Sequence, residues 1–228
     1  MKHIGIAALT AEGAAIVYRH ICEASMRRLG EYRHPEISLH SFSLSEHLNV
    51  GSERKEKWST LIKASADKLR ASGADFMICP SNTPHDIYDE VVGSLPIPWL
   101  HIVRPVRRKA ESSRAKTLLL LGTRFTLESD FYDREFHGSG IALVRPDAGD
   151  MNRIHEVINA ELIMGVVASA SQQYLSQVLQ KHASTGVDGA ILGCTELPMI
   201  INQSMTRLAL FDSAALLAEA AIEYAVAS

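Results

Sequence analysis

Two short segments of this 228-residue chain carry the side chains best suited to chemistry: Cys79-Pro80-Ser81-Asn82-Thr83-Pro84-His85 and Gly193-Cys194-Thr195-Glu196-Leu197-Pro198. Each follows an apolar run that reads as a buried strand, Asp75-Phe76-Met77-Ile78 before the first and Gly189-Ala190-Ile191-Leu192 before the second. An Asn-Thr or Cys-Thr pair thus falls where a strand ends and a helix begins, the place where parallel α/β sheets bind their ligands. The segments lie nearly half a chain apart. Such a repeat predicts two similar halves facing one another, with one reactive side chain from each.

Strands and helices alternate in a way that would position both segments. Ile4-Ala8 reads as a strand, Glu12-Leu29 as a helix with Ala15, Ile16, Ile21, Cys22 and Met26 at helical spacing, and Ile37-Phe42 as a second strand. Lys55-Ala71 repeats the amphipathic pattern through Trp58, Leu61, Ile62, Ala66 and Leu69, and Ala74-Cys79 is a buried strand. Pro84 suits a first helical turn, with Thr83 as its N-cap. Helix 86–92 and strand 99–103 complete a first unit, and the charged stretch 104–114 ends it as a solvated helix face. A second series comes after it: strands 117–121 and 141–144, helices 151–164 and 172–183, strand 188–192, strand 208–211 and helix 213–226. The alternation predicts parallel sheets covered by helices on both faces. The expected division is 1–104 plus 208–228 for the first α/β lobe and 105–207 for the second, with the site in the cleft between them.

Bulk properties exclude several classes. A net charge of -3, with no Lys/Arg stripe interleaved with aromatics, gives nucleic acid no footprint. No apolar stretch reaches the ~20 residues of a spanning helix, and the amino terminus enters a strand at once, so the expected location is the cytoplasm. Three cysteines, Cys22, Cys79 and Cys194, with no CxxC spacing argue against a disulfide framework or a zinc site. The histidines lack metal-ligand spacing and no Gly-rich phosphate loop follows a strand, so neither metal nor organic cofactor is expected.

Ser81-Asn82-Thr83-Pro84-His85 and Gly193-Cys194-Thr195-Glu196-Leu197-Pro198 resemble the paired signatures of the aspartate/glutamate racemase superfamily. The resemblance extends through Ile4-Gly5-Ile6, Glu12-Gly13, Tyr18-Arg19, Pro96-Ile97-Pro98-Trp99-Leu100-His101, the run from Leu119 to Thr126, and Leu210-Phe211-Asp212. It implies two Rossmann-like or flavodoxin-like halves related by a pseudo-twofold, with the last strand and helix returning to the first half. It further implies a cytoplasmic, cofactor-independent homodimer that moves the α-proton of an amino acid. Inverting a stereocentre needs a base on one face and an acid on the other. Thiols serve because their ordinary pKa, about 8.5, lies near working pH and can be lowered by a helix N-terminus. Cys194 matches the second catalytic cysteine, whereas Ser81 stands where the first is expected.

That replacement predicts an asymmetric reaction. Cys194 is the principal acid/base, while Ser81 or an ordered water serves the other face. Ser81, a far weaker acid than a thiol, is better suited to hydrogen-bond substrate or a helix end. Asn82, Thr83 and Thr195 are expected to hold the substrate carboxylate, with Asn82-Thr83 also capping the helix that follows. Glu196 is either a first-turn charge or a group orienting Cys194 or the substrate amine. Thr10 and Thr123 are expected to line the pocket, and His85 to orient a catalytic residue or bind substrate. Cys79 is expected to be a buried strand residue and His101 a structural one. The apolar stretch at 162–164 lacks the lysine that aspartate-specific members carry there, leaving His47, Arg54 and Lys55 as candidate partners for a distal carboxylate. The alternative readings are a single-cysteine decarboxylase or isomerase of small dicarboxylates, and an inactive homologue that binds a small carboxylate. The serine is either natural or an engineered replacement.

Overall fold

The computed structural model describes residues 1–48 and 53–227, which form two compact units, Met1–Ile102 together with the segment from Ala214, and Val103–Ser213. In the first, β1 (Ile4–Ala8), β2 (Ile37–Ser41), β3 (Phe76–Ile78) and β4 (Trp99–Leu100) form a parallel sheet in the order β2-β1-β3-β4. The central strands are buried along their whole length, as their continuous apolar runs predict for a sheet covered on both faces. Helices α1 (Ala11–Leu29), α2 (Leu44–Leu48), α3 (Arg54–Ala71) and α4 (Tyr88–Val91) connect them. α3 packs so closely on β1 that a Cβ at Gly5 would stand 3.1 Å from Leu69.

The second unit repeats the plan. α5 (Val103–Ser112) leads to β5 (Thr117–Leu121), the short helices α6 (Arg124–Glu128) and α7 (Phe131–Phe136), and β6 (Ala142–Val144). Next come α8 (Ala148–Ala160), α9 (Ser169–Ala183), β7 (Gly189–Leu192) and β8 (Ala209–Asp212). The sheet order is β6-β5-β7-β8, again all parallel. The carboxy-terminal helix α10 (Ser213–Val226) runs into the first unit, where the Ala225 carbonyl accepts the Lys2 N–H at 2.8 Å and Tyr224 meets Phe76 edge-on. Each unit fixes the start of its central pair alike: the Asp75 carboxylate accepts the His3 N–H, and the Asp188 carboxylate accepts those of Lys116 and Thr117.

The structure departs from the expected division at two places. The sequence reading places strand 208–211 with helix 213–226 in the first lobe, yet β8 pairs with β7, Leu192 opposite Asp212, and belongs to the second unit. The reason is hydrogen bonding: a strand that runs directly into a helix still needs a partner edge, and β7 supplies it. The first unit also ends at Ile102, because the expected strand 99–103 stops at Leu100 and Val103 already begins α5. Within 151–164 the helix ends at Ala160 and a separate 3₁₀ turn spans Leu162–Met164.

Candidate active site

Both segments singled out in the sequence lie at the carboxyl ends of central strands, each next to the threonine that comes after the neighbouring strand. In the second unit Leu121 pairs with Leu192, so Thr123 and Cys194 each stand two residues beyond a paired position. In the first unit Ile6 pairs with Ile78, and Thr10 and Asn82 each stand four residues beyond. The order 2-1-3-4 within each sheet makes this central pair the point where the chain reverses direction across the sheet.

Cys194 is 9% exposed, and Thr195 and Glu196 are 2% exposed. The Cys194 thiol donates to Glu196 Oε2 at 3.0 Å. Burial, then the negative charge of Glu196 and the hydrogen bond to it, push the thiol well above its ordinary range, against the lowering effect of the Glu196 and Thr195 backbone N–H groups. A helix N-terminus, which can lower a thiol, does not do so here. The helical segment after Cys194 is a single 3₁₀ turn, Leu197–Met199, too short to carry a helix dipole that could offset an adjacent carboxylate. This raised pKa keeps Cys194 in the thiol form.

The backbone under Cys194 is tightly held. The Gly193 N–H donates to the Leu121 carbonyl at 2.7 Å, and a Cβ at Gly193 would lie 2.7 Å from that same oxygen. Only glycine allows the two strand ends to approach so closely. On the other side of β7, Asp212 and Ser213 close the sheet, and the Ser213 hydroxyl donates to the Leu192 carbonyl at 2.8 Å. Tyr132, fully buried on α7, is hydrogen-bonded to Ser213. Neither residue stands out in the sequence. Tyr132 lies in a polar run without periodicity, and the one signal for Ser213 is its place after Leu210-Phe211-Asp212.

Around Ser81 the arrangement differs. The 3₁₀ turn Thr83–Ile87 has Asn82, not Thr83, at its N-cap position, and the Asn82 side chain makes no cap hydrogen bond. Asn82 already has helical backbone angles, φ -69° and ψ -46°, whereas a capping side chain requires an extended backbone. His85, fully buried, directs Nδ1 at the Ser81 carbonyl (3.0 Å) and the Asn82 carbonyl (3.2 Å), so this nitrogen carries the proton. Its ring sits among Trp99, His101 and Tyr88. His85 thus orients the Ser81 backbone. Cys79 is fully buried, its thiol 3.7 Å from the Ser81 carbonyl and pushed up to about 12 by burial.

The remaining candidates have defined structural tasks. Thr10 caps α1 by accepting the Gly13 N–H at 3.1 Å. Thr123 caps α6 by accepting the Thr126 N–H at 3.4 Å. Lys55 lies 3.3 Å from the Asp86 carboxylate and 3.6 Å from that of Glu90, Arg54 stacks over the Trp58 ring, and His47 is buried with its pKa lowered by desolvation. Among the described residues no group of three His, Cys, Asp or Glu could hold a metal ion, and no helix is long and apolar enough to cross a membrane.

The chain has relatives among known proteins over most of its length. The family model described as Asp/Glu/Hydantoin racemase matches residues 5–221. The broad specificity amino-acid racemase RacX of Bacillus subtilis (strain 168) is 29% identical over 160 residues, which are 69% of this chain and 67% of that protein. The crystal structure of an aspartate racemase homologue from Pyrococcus horikoshii OT3 is 29% identical with a TM-score of 0.86, covering 100% of both chains. That of a candidate Asp/Glu racemase from Yersinia pestis is 29% identical with a TM-score of 0.87, also covering 100% of both.

Proposed function

Because the chain belongs to the Asp/Glu/hydantoin racemase family, a family of racemase-type isomerases, we propose that Cys194 is the principal acid/base that removes and returns the α-proton of a small amino acid. The observation that carries this reading is the buried thiol–carboxylate pair, Cys194 Sγ to Glu196 Oε2 at 3.0 Å, at the carboxyl end of a central strand.

The pair suits the chemistry. An α-proton is very weakly acidic, so a useful base must itself be hard to ionise, and a thiol raised by burial and a neighbouring carboxylate yields a strongly basic thiolate. Glu196 receives the thiol proton. The ammonium group of an arriving amino acid brings the positive charge that stabilises the thiolate left once its proton has passed to Glu196. The thiolate then takes the α-proton, and the reprotonated thiol is the acid for the return step. Thr195, next to Cys194, holds the substrate carboxylate, whose charge grows as the carbanion forms. Ser81 or an ordered water serves the opposite face, so one enantiomer turns over faster than the other. An aspartate- or glutamate-type substrate is the preferred reading, and the protein acts as a homodimer.

The test is proton NMR of the purified protein with a panel of L- and D-amino acids in D₂O, following loss of the α-proton signal beside a Cys194→Ala control. Exchange that vanishes in the control supports the reading and names the substrate. Exchange that survives Cys194→Ala, or none across the panel, refutes it.

A further inference from the structure

We propose that Tyr132 is a positioning residue for Cys194, acting through the Ser213 hydroxyl on the peptide that immediately precedes the thiol. The inference rests on the reading of Cys194 as acid/base. Ser213 donates to the Leu192 carbonyl at 2.8 Å, and its side chain is hydrogen-bonded to that of Tyr132. Tyr132, Ser213 and the Leu192 carbonyl are thus linked in one chain of hydrogen bonds. The other end of the same peptide, the Gly193 N–H, donates to the Leu121 carbonyl at 2.7 Å. Both polar groups of peptide 192–193 are thereby fixed, and with them the direction in which the next residue, Cys194, leaves the strand.

The surroundings make the hydroxyl the informative part of Tyr132. Its ring is fully buried beside Phe131 at 5.0 Å, a place that phenylalanine would fill as well. A buried hydroxyl costs stability unless it is bonded, so it is placed where its bond does something. A Cβ at Gly193 would lie 3.5 Å from the Tyr132 oxygen, which puts the phenol against the backbone leading to Cys194. Burial raises the phenol above its ordinary range against the lowering effect of the Ser213 hydrogen bond, with smaller raising contributions from Cys194 and Asp212, so the group stays neutral.

The experiment compares Tyr132→Phe, Ser213→Ala, Ser213→Thr and the Phe/Ala double variant. Three quantities are read: kcat and KM of α-proton exchange, the pH midpoint of Cys194 alkylation by iodoacetamide followed on its peptide by mass spectrometry, and the melting temperature. The expected result for Tyr132→Phe and Ser213→Ala is a kcat about tenfold lower with KM within about twofold, since misplacement of a reacting group slows chemistry more than binding. The alkylation midpoint moves by about half a pH unit or more in both, because the contact with Glu196 is altered. Ser213→Thr restores both quantities, and the double variant is no worse than the worse single one. A merely structural role would lower the melting temperature and leave the midpoint unmoved. That result, or additive losses, overturns the proposal. Should Tyr132→Phe not fold, the Ser213→Ala and Ser213→Thr pair decides alone. Should the wild-type protein exchange no α-proton, the racemase reading fails, while the alkylation midpoints still decide whether Tyr132 positions the thiol.

Discussion

Replacing Glu196 by glutamine should move two properties of Cys194 in opposite directions. Glutamine keeps the shape of the side chain and can still accept the S–H bond, but it carries no charge and cannot take a proton. In the protein the thiol is raised first by burial, then by the charge of Glu196 and by their 3.0 Å hydrogen bond. Glu196→Gln removes the charge and leaves the burial. The thiol therefore falls toward its ordinary range without reaching it, and the pH profile of alkylation moves down. At a pH below the thiol's pKa, lowering that pKa by one multiplies the thiolate tenfold, and the accompanying loss of nucleophilicity takes back about half of that gain on a logarithmic scale. Net alkylation by iodoacetamide at a fixed pH near 8 thus rises roughly three- to fourfold for each pH unit by which the profile moves. Exchange goes the other way. Because Glu196 is 2% exposed, bulk water cannot stand in as proton acceptor. Loss of a positioned acid/base group costs about 10²- to 10⁴-fold, or roughly 3–5 kcal/mol of transition-state stabilisation. The assays are peptide-resolved alkylation at Cys194 across pH and α-deuteration by NMR on one sample. Slower or unchanged alkylation would show that the Glu196 charge does not set the thiol. Exchange reduced less than about threefold would show that Glu196 is not its proton partner.

Ser81→Cys should raise α-proton exchange from the slower enantiomer by about tenfold or more, since a thiol ionises far more readily than a hydroxyl; an unchanged enantiomer ratio in the NMR assay would remove Ser81 from proton transfer. Gly193→Ala forces a Cβ to within 2.7 Å of the Leu121 carbonyl, a backbone atom that cannot rotate away. It should cost about 1–3 kcal/mol of stability in denaturant titrations, and an unaffected midpoint would mean that the two strand ends are less tightly joined than described.

The sheets were legible because their signal is strong. Phe76-Met77-Ile78 and Ala190-Ile191-Leu192 are unbroken apolar runs, and only a strand covered on both faces needs such a run. Long helices such as Ala11–Leu29 and Arg54–Ala71 declared themselves by period. The features that escaped were decided by tertiary hydrogen bonding. The partner of strand 209–212 depends on which sheet edge is open, and that is not written in four residues. The helices 124–128 and 131–136 are too short for periodicity to show. The N-cap position falls at Asn82, one residue before the Thr83 that the sequence suggests, because both are good capping types and only the backbone angles distinguish them.

For the candidate site, residue types were readable and their connections were not. The two segments look like copies in sequence, yet they are wired differently. At the end of β7 it is the side chain of Cys194 that is engaged, by Glu196 two residues on. At the end of β3 it is the backbone of Ser81 that is engaged, by His85 four residues on. A carboxylate raises a thiol and accepts its proton, whereas an imidazole N–H on a carbonyl only fixes a loop. Even with identical strand order in the two units, the chemical environment is therefore unequal, independently of the exchange of sulfur for oxygen. On the proposed function, an asymmetric division of labour then has two sources. It also explains why Ser81→Cys alone should narrow the gap between enantiomers without closing it: a thiol placed at residue 81 would have no counterpart of Glu196 two residues on, where the chain carries Thr83.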